Sequence, residues 1–369
     1  TTQTTASGSD DTATPTPTQT ETQSQSKNQS DKYGGRLTAG WHIGEMNQLD
    51  PHLSNLGLEG QVSGNIFNSL VTTTRDLKIV GDFAKDWSVK NAQQFTFNLR
   101  EGVKVQKGYG ELTAQDIKYT VNRALTLKGS LAQSTYKPLK SIENGGVKVL
   151  DDYKVQLNFK EPFAPGLASV GVASIIPKAA AEDMDRSTYK NKPVGAGPFK
   201  ITEHKLGQSI KLDRFEDYYR TDDQGNQLPY LDGVDIDPIP EAATLISAIE
   251  SGQVDFLNEV PAQNVSRVKK AQDVSVSTPP AAGWTGVQIN TLREPFKNPK
   301  VRQAMAKTIN REEFIGQAFF GAAEPALGPI SPAHATFYRE DKPKYQAYDP
   351  EKAKQLMKEA GAMNAKVNL

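Results

Sequence analysis

Apolar and polar positions alternate along "QFTFNLREGVKV", where Phe95, Phe97 and Leu99 are separated by polar partners. That period of two predicts a half-buried strand. "DDYKVQLNF" repeats it with Val155, Leu157 and Phe159 on one side. "RLTAGW", from Arg36, reads as a further strand, and "LDPHLS" as a turn in which Pro51 fixes φ after Asp50. The period becomes helical in "LTAQDIKYTVNRAL". There Ile117, Val121, Ala124 and Leu125 share a face, and Thr113 with Asp116 resembles a capping box. "PEAATLISAIESG" predicts a helix begun by Pro240, with Leu245, Ala248 and Ile249 on one stripe and Gly252 as its left-handed end. Three more starts are marked by Asn298 before Pro299, Asn310 before Glu313, and Asp349 before Pro350. The last of these helices turns Leu356 and Met357 inward and stops at Gly361. The result is an α/β chain in two separated regions, with no repeat of fixed period.

Length and composition narrow the class. A chain of 369 residues is longer than one hydrophobic core usually fills. Its 43 basic and 43 acidic residues cancel, which removes any whole-molecule argument for nucleic acid or an anionic membrane surface. No apolar run is long enough to span a bilayer. The absence of Cys excludes disulfides, thiolate metal sites and cysteine nucleophiles together. Residues 1–30 hold ten Thr, five Ser and five Gln, and Ala6 and Ala13 are their apolar content. Such a segment has too little to bury to order itself and is expected to act as a flexible linker. A disordered terminus of any protein and a tether from a lipid-carrying cysteine ahead of Thr1 both fit it.

Candidate chemistry is sparse. No nucleophile elbow, paired-histidine zinc helix, phosphate-binding glycine loop or complete dinucleotide fingerprint occurs. "KPVGAGPFKI" invites a phosphate reading, but Lys200 is not followed by Ser or Thr, and Pro198, Phe199 and Ile201 lead into a strand. The glycines at 195 and 197 are therefore expected to serve unusual dihedrals and close packing. His42 and His52 share a turn region, where a metal or catalytic pair is the lesser expectation beside ordinary loop histidines. His204 and His334 complete the set. Trp41 and Trp87 fall within strand-like runs and read as core. Trp284, after Gly283 and before an alternating Val287 and Ile289, reads equally as a cleft aromatic or as a core or rim aromatic.

Seven stretches in order then carry a resemblance. "LDPHLSNLGLEGQVSGNIFNSLV", "FAKDWSVKNAQQFTFNLREGVKV" running into "LTAQDIKYTVNRAL", "KPVGAGPFKI", "DRFEDYY", "SGQVDF", "NPKVRQAMAKTINREEFI" and "YDPEKAKQLMKEAG" are similar to blocks of one family. That family is the bacterial extracellular solute-binding proteins, family 5, the oligopeptide-, dipeptide- and nickel-binding components of ABC importers. The likeness runs from Arg36 to the end. Two departures stand out. "QKGYGE" replaces an aromatic or His with Asp-Gly after Val105, expected to alter a loop of the second lobe, and "GAG" stands where Gly-Thr-Gly is usual.

The resemblance implies a two-lobed α/β fold of the periplasmic-binding-protein type (type II, cluster C) with an extra subdomain. It places a tether at 1–35, a first lobe at 36–70 and 192–268, the subdomain at 71–191 and a second lobe at 269–369. Family members continue beyond that point, so the C-terminal part of the second lobe is expected to be missing here. Ligand would lie between lobes that close by hinge motion. Cleft candidates are Glu45, Met46 and Asn47 in the first lobe, Gly283 and Trp284 opposite, and Phe163 from the subdomain. No catalytic residue, metal or cofactor is implied. The ligand would be a di- or oligopeptide, with nickel complexes or oligosaccharides as alternatives and a secreted hydrolase as the rival class. The expected partner is a membrane permease, and the expected setting is a monomer outside the cytoplasmic membrane, held there by a lipid anchor.

Overall fold

The computed structural model describes residues 32–43, 46, 48–54, 58–74, 76–279, 283–326, 328–334, 338–339 and 347–366. The Thr-rich tail lies outside the described residues, apart from its last few positions. The chain opens with β1 (Arg36–Trp41), α1 (Leu58–Ile66) and two short antiparallel strands, β2 (Val71–Thr73) and β3 (Ile79–Gly81). Then come β4 (Ala84–Lys90), β5 (Gln94–Leu99), α2 (Ala114–Thr126), α3 (Gln133–Tyr136), β6 (Val147–Asp151) and β7 (Lys154–Asn158). Helices α4 (Lys178–Asp183) and α5 (Arg186–Asn191) precede β8 (Phe199–Lys205), β9 (Ser209–Arg214) and β10 (Gly233–Pro238). The rest comprises α6 (Ala242–Glu250), β11 (Phe256–Leu257), α7 (Val265–Val268), α8 (Pro299–Thr308), α9 (Arg311–Ala318) and α10 (Pro350–Glu359).

Strands β4-β5-β7-β6 form an antiparallel sheet in that order. The alternation read from sequence is what buries its inner face: Phe95, Phe97, Leu99, Val155, Leu157 and Phe159 are all nearly inaccessible. Helix α2 lays Ile117, Val121 and Ala124 into the same core, with Leu125 packed at its margin. Its capping box is present. Thr113 Oγ1 accepts from Gln115 N, and the Asp116 carboxylate accepts from Thr113 N at 2.8 Å. Asp116 also accepts from Lys178 N, which ties α4 to the start of α2.

A second sheet runs β11-β1-β10-β9-β8. Here β1 is parallel to both its neighbours, while β10, β9 and β8 are antiparallel in turn. Helix α6 makes the crossover from β10 to β11 over β1. Gly40 permits that contact, because a Cβ there would lie 3.0 Å from Leu257 Cδ2 and 3.1 Å from Leu245 Cδ1. The core under this sheet gathers Ala39, Trp41, Met46, Leu49, Val62, Ile66, Ile210 and Ile236. Trp41 is core, and Trp87 packs part-buried against the other one. Pro240 does not begin α6. Glu241 is the N-cap and Ala242 the first helical residue, so the proline ends the extended run after β10 instead.

The chain passes between the two cores at one place. It leaves the first after α1 and returns through Gly195–Gly197. Gly197 N donates to Ile66 O at 2.8 Å, and a Cβ on Gly195 would sit 2.0 Å from that same oxygen. Neither glycine has a positive φ, so close approach and not dihedral freedom requires them. Gln106, buried in the "QKGYGE" loop, locks the passage, its Nε2 donating to Gly197 O at 3.2 Å and Phe199 O at 2.8 Å. That loop therefore belongs to the antiparallel-sheet core and its junction, not to the second lobe. Further on, α8 and α10 pack through Ala304, Ala353 and Leu356, with Asn298 and Asp349 capping as read.

Candidate functional site

Open sheets of parallel strands present ligands with the crevice at their carboxyl ends, where backbone groups and helix starts converge. In this chain that edge follows β10, β1 and β11. Trp41 ends β1 with its carbonyl accepting from Ile43 N and Ile239 N. Met46 is buried among Leu49, Val62 and Ile66, and its carbonyl oxygen lies 3.1 Å from His204 Nε2. The N-terminus of α6 opens toward the same edge, with no side chain capping it. Just past β11, Asn258 Oδ1 is buried and accepts no hydrogen bond among the described residues. Asn264 Oδ1 shares that condition. A buried acceptor without a donor is costly, and a ligand N–H at this edge would satisfy it. Sequence reading passed over Asn258, although its place two residues after the "SGQVDF" stretch was the available signal.

The sequence-derived candidates distribute as follows. Met46 lines the core beneath this edge, and Glu45 and Asn47 lie outside the described residues. Gly283 and Trp284 are exposed, the indole folded over Gly286 at a spacing that leaves no room for a Cβ there. Phe163 stacks on Phe159 with ring centroids 5.1 Å apart in the antiparallel-sheet core. The structure thus seats Met46 and Phe163 in different cores. Val287 and Ile289 form no strand: residues 283–290 join no ladder among the described residues, and Val287 stays exposed. Neither of two concavities includes the candidates. One is an apolar void of about 10 Å³ beneath Leu70 and Ile117, room for no more than a single water. The other is a surface groove beside Tyr109 and Glu182.

The two histidines of the first turn part company. His42 is exposed, whereas His52 is buried against Arg123 of α2. Arg123 Nη1 donates to Asp50 Oδ1 at 3.1 Å and to His52 Nδ1 at 3.0 Å, while its face covers the Tyr189 ring. A guanidinium only donates, so Nδ1 is the acceptor and the ring hydrogen sits on Nε2. Burial first, and Arg123 second, hold the His52 pKa down at about 4. With its lone pair engaged by Arg123, this imidazole has none to offer as a base. The network joins the turn after β1 to α2 and α5. Among the described residues no group of three His, Cys, Asp or Glu side chains suits a metal ion.

Known proteins match this chain in sequence and in overall fold. The family model for "Bacterial extracellular solute-binding proteins, family 5 Middle" matches residues 78–368. The chain belongs to this family. Among curated family 5 relatives, the oligopeptide-binding protein AppA of Bacillus subtilis (strain 168) is 31% identical over 341 residues, 89% of this chain and 60% of AppA. The glutathione-binding protein GsiB of Salmonella typhimurium is 29% identical over 320 residues, 85% of this chain and 59% of GsiB. Among solved structures, the periplasmic binding protein DppA of Helicobacter pylori, in complex with the peptide STSA, superposes with a TM-score of 0.77 at 26% identity. That match covers 91% of this chain and 68% of DppA. The chain spans about 60% of the length of the curated relatives it matches. The mixed α/β architecture is that of the periplasmic binding proteins. No helix among the described residues is long and apolar enough to cross a membrane.

Proposed function

We propose that this chain is part of the solute-capturing component of an ABC importer that takes up peptides. The observation that carries the reading is the carboxyl edge of β10, β1 and β11. The buried side-chain oxygen of Asn258, without a hydrogen-bond partner among the described residues, lies there just past β11, in a chain related to peptide-binding AppA and DppA. Peptide backbones carry N–H and C=O groups at regular intervals, and a site that reads them needs few special side chains. In this reading the β11-β1-β10-β9-β8 sheet is the first lobe and the antiparallel sheet with α2 the extra subdomain. Residues from 269 contribute the opposing lobe, with Trp284 facing the ligand. Closure of the lobes presents the complex to a permease, and no bond is broken. The protein works as a monomer outside the cytoplasmic membrane, held by a lipid ahead of Thr1 with the polar tail as spacer.

Native mass spectrometry of the full-length protein purified from its own host tests this. A co-purifying mass that fragments as a peptide is the expected result. Cleavage of added peptides or glycans would replace binding with hydrolysis, and an unacylated native Thr1 would remove the anchor.

A further inference from the structure

We propose that Asn144, in the turn leading into β6, is a site of self-modification, its side-chain amide converting through a cyclic imide to aspartyl and isoaspartyl carboxylates. Asn144–Gly145 is the sole Asn-Gly pair in the chain, and every other asparagine is followed by a residue that carries a Cβ. The reaction brings the following residue's backbone nitrogen onto the amide carbon, and a glycine leaves that approach open. Asn144 is exposed, and Gly145 has a φ of +72°. The hydrogen bond that has to open is a single turn contact, Gly145 N to Ile142 O at 3.1 Å. A Cβ on Gly145 would lie 2.8 Å from Lys148 Cε, so a cation stands near the nitrogen that must lose its hydrogen. Ser141 Oγ accepts from Asn144 Nδ2 at 2.8 Å, which places a hydroxyl at the nitrogen that must leave.

The step balances with water alone. Gly145 N gives its hydrogen to solvent base and bonds to Asn144 Cγ. The Cγ–Nδ2 bond breaks, and the nitrogen departs as ammonia with a proton from the Ser141 hydroxyl, which water restores. Water then opens the ring at either carbonyl, giving aspartate on the original main chain or isoaspartate on a main chain one carbon longer. The Asp-Gly pair at Asp232–Gly233 is denied this route, because Gly233 is held in the β1-β10-β9 ladder and the Asp232 carboxylate is paired with Arg214. The turn at Asn144 has no slack for the longer chain. Gly145 O accepts from Asn158 Nδ2 at 2.7 Å, Gly146 O accepts from Asn158 N at 2.8 Å, and a Cβ on Gly146 would lie 1.8 Å from Lys140 O. Isoaspartate at this position therefore loosens the clasp between the start of β6 and the end of β7.

Storage of the purified full-length protein at mildly alkaline pH, followed by tryptic mapping, tests this. The peptide Ser141–Lys148 should convert into two acidic products of equal mass, with ammonia released alongside. Its conversion should run about tenfold faster than that of any other asparagine-bearing peptide, a barrier lower by about 1.4 kcal/mol. Ser141→Ala should slow the conversion and still give both products; an unchanged rate would overturn the part given to the hydroxyl. In the isoaspartyl form, the backbone amides of Gly146 and Asn158 should exchange faster than in the fresh protein. Asn144→Asp, which adds the charge on the original main chain, should leave them unchanged. An intact Ser141–Lys148 in the folded protein, while the same peptide alone converts, would show that the turn protects Asn144 and overturns the site. Conversion spread evenly over the other asparagines would do the same.

Discussion

His52 is buried where water cannot solvate its charge, with a guanidinium already bonded to one ring nitrogen. Its pKa falls from 6.5 to about 4 on folding, so between those values the unfolded chain binds the proton and the folded one resists it. The stability this contributes is complete above pH 6.5 and is lost as the pH falls to about 4. Relative to His52→Gln, whose amide oxygen also accepts from Arg123, the wild type should lose about 3 kcal/mol across that window. Urea unfolding midpoints at a series of pH values check it, and parallel acid limbs for the two proteins would refute it. Nothing near position 52 in the sequence announces this role. The partner is Arg123, on a helix reached only after β2 to β5, so the pairing is a product of tertiary structure. The same holds for Gln106, which reads as one polar residue of a loop until its amide is found between Gly197 and Phe199.

Whole elements were more legible, because the signals that define them are local. The alternation at Phe95, Phe97 and Leu99 and the caps at Thr113, Asn298, Asn310 and Asp349 each depend on residues within a turn of one another. Asp349 Oδ1 accepts from Lys352 N at 2.9 Å, so Asp349→Ala should weaken α10 by about 1 kcal/mol. Faster amide exchange confined to residues 350–359 is the expected readout, and unchanged exchange would count against the cap. Pro240 and the run at Val287 were misread for opposite reasons. A proline suits an extended approach as well as a first helical turn, and an alternating strand stays a strand only if another lies beside it. At the passage between cores, Gly195→Val would drive a side chain into Ile66 O and should lower stability by about 3 kcal/mol. A urea midpoint equal to wild type would show that the passage can yield.

At the scale of the molecule, the two sheets are joined by more than covalent passage. Asp50 with Arg123, Leu131 N with His52 O, and Gln106 with the Gly195–Phe199 stretch pin one to the other through three separate contacts. Movement that admits a ligand is therefore expected between this joined unit and the residues from 269 onward. If Trp284 faces the ligand, Trp284→Ala in the full-length protein should weaken peptide binding about tenfold. Its unliganded stability should stay within about 0.5 kcal/mol of wild type, since the ring is half exposed. Saturating peptide at a hundredfold excess over Kd should stabilise the wild type by about 2.7 kcal/mol. A thermal-shift titration reads both quantities, and equal shifts in the two proteins would place Trp284 outside the site.

The pairing of Arg36 with Gly233, through to Trp41 with Pro238, also sets an order of events during synthesis. On the ribosome β1 emerges early and waits, without either neighbour, while the whole antiparallel sheet is made. That sheet pairs strands close in sequence and has its own core, so it is the first part able to fold. Its completion brings Gly197 back to Ile66, which closes the long loop and delivers β8, β9 and β10 to the strand made before them. The carboxyl edge of β10, β1 and β11 is thus assembled after the inserted sheet, from segments whose meeting that sheet has already arranged.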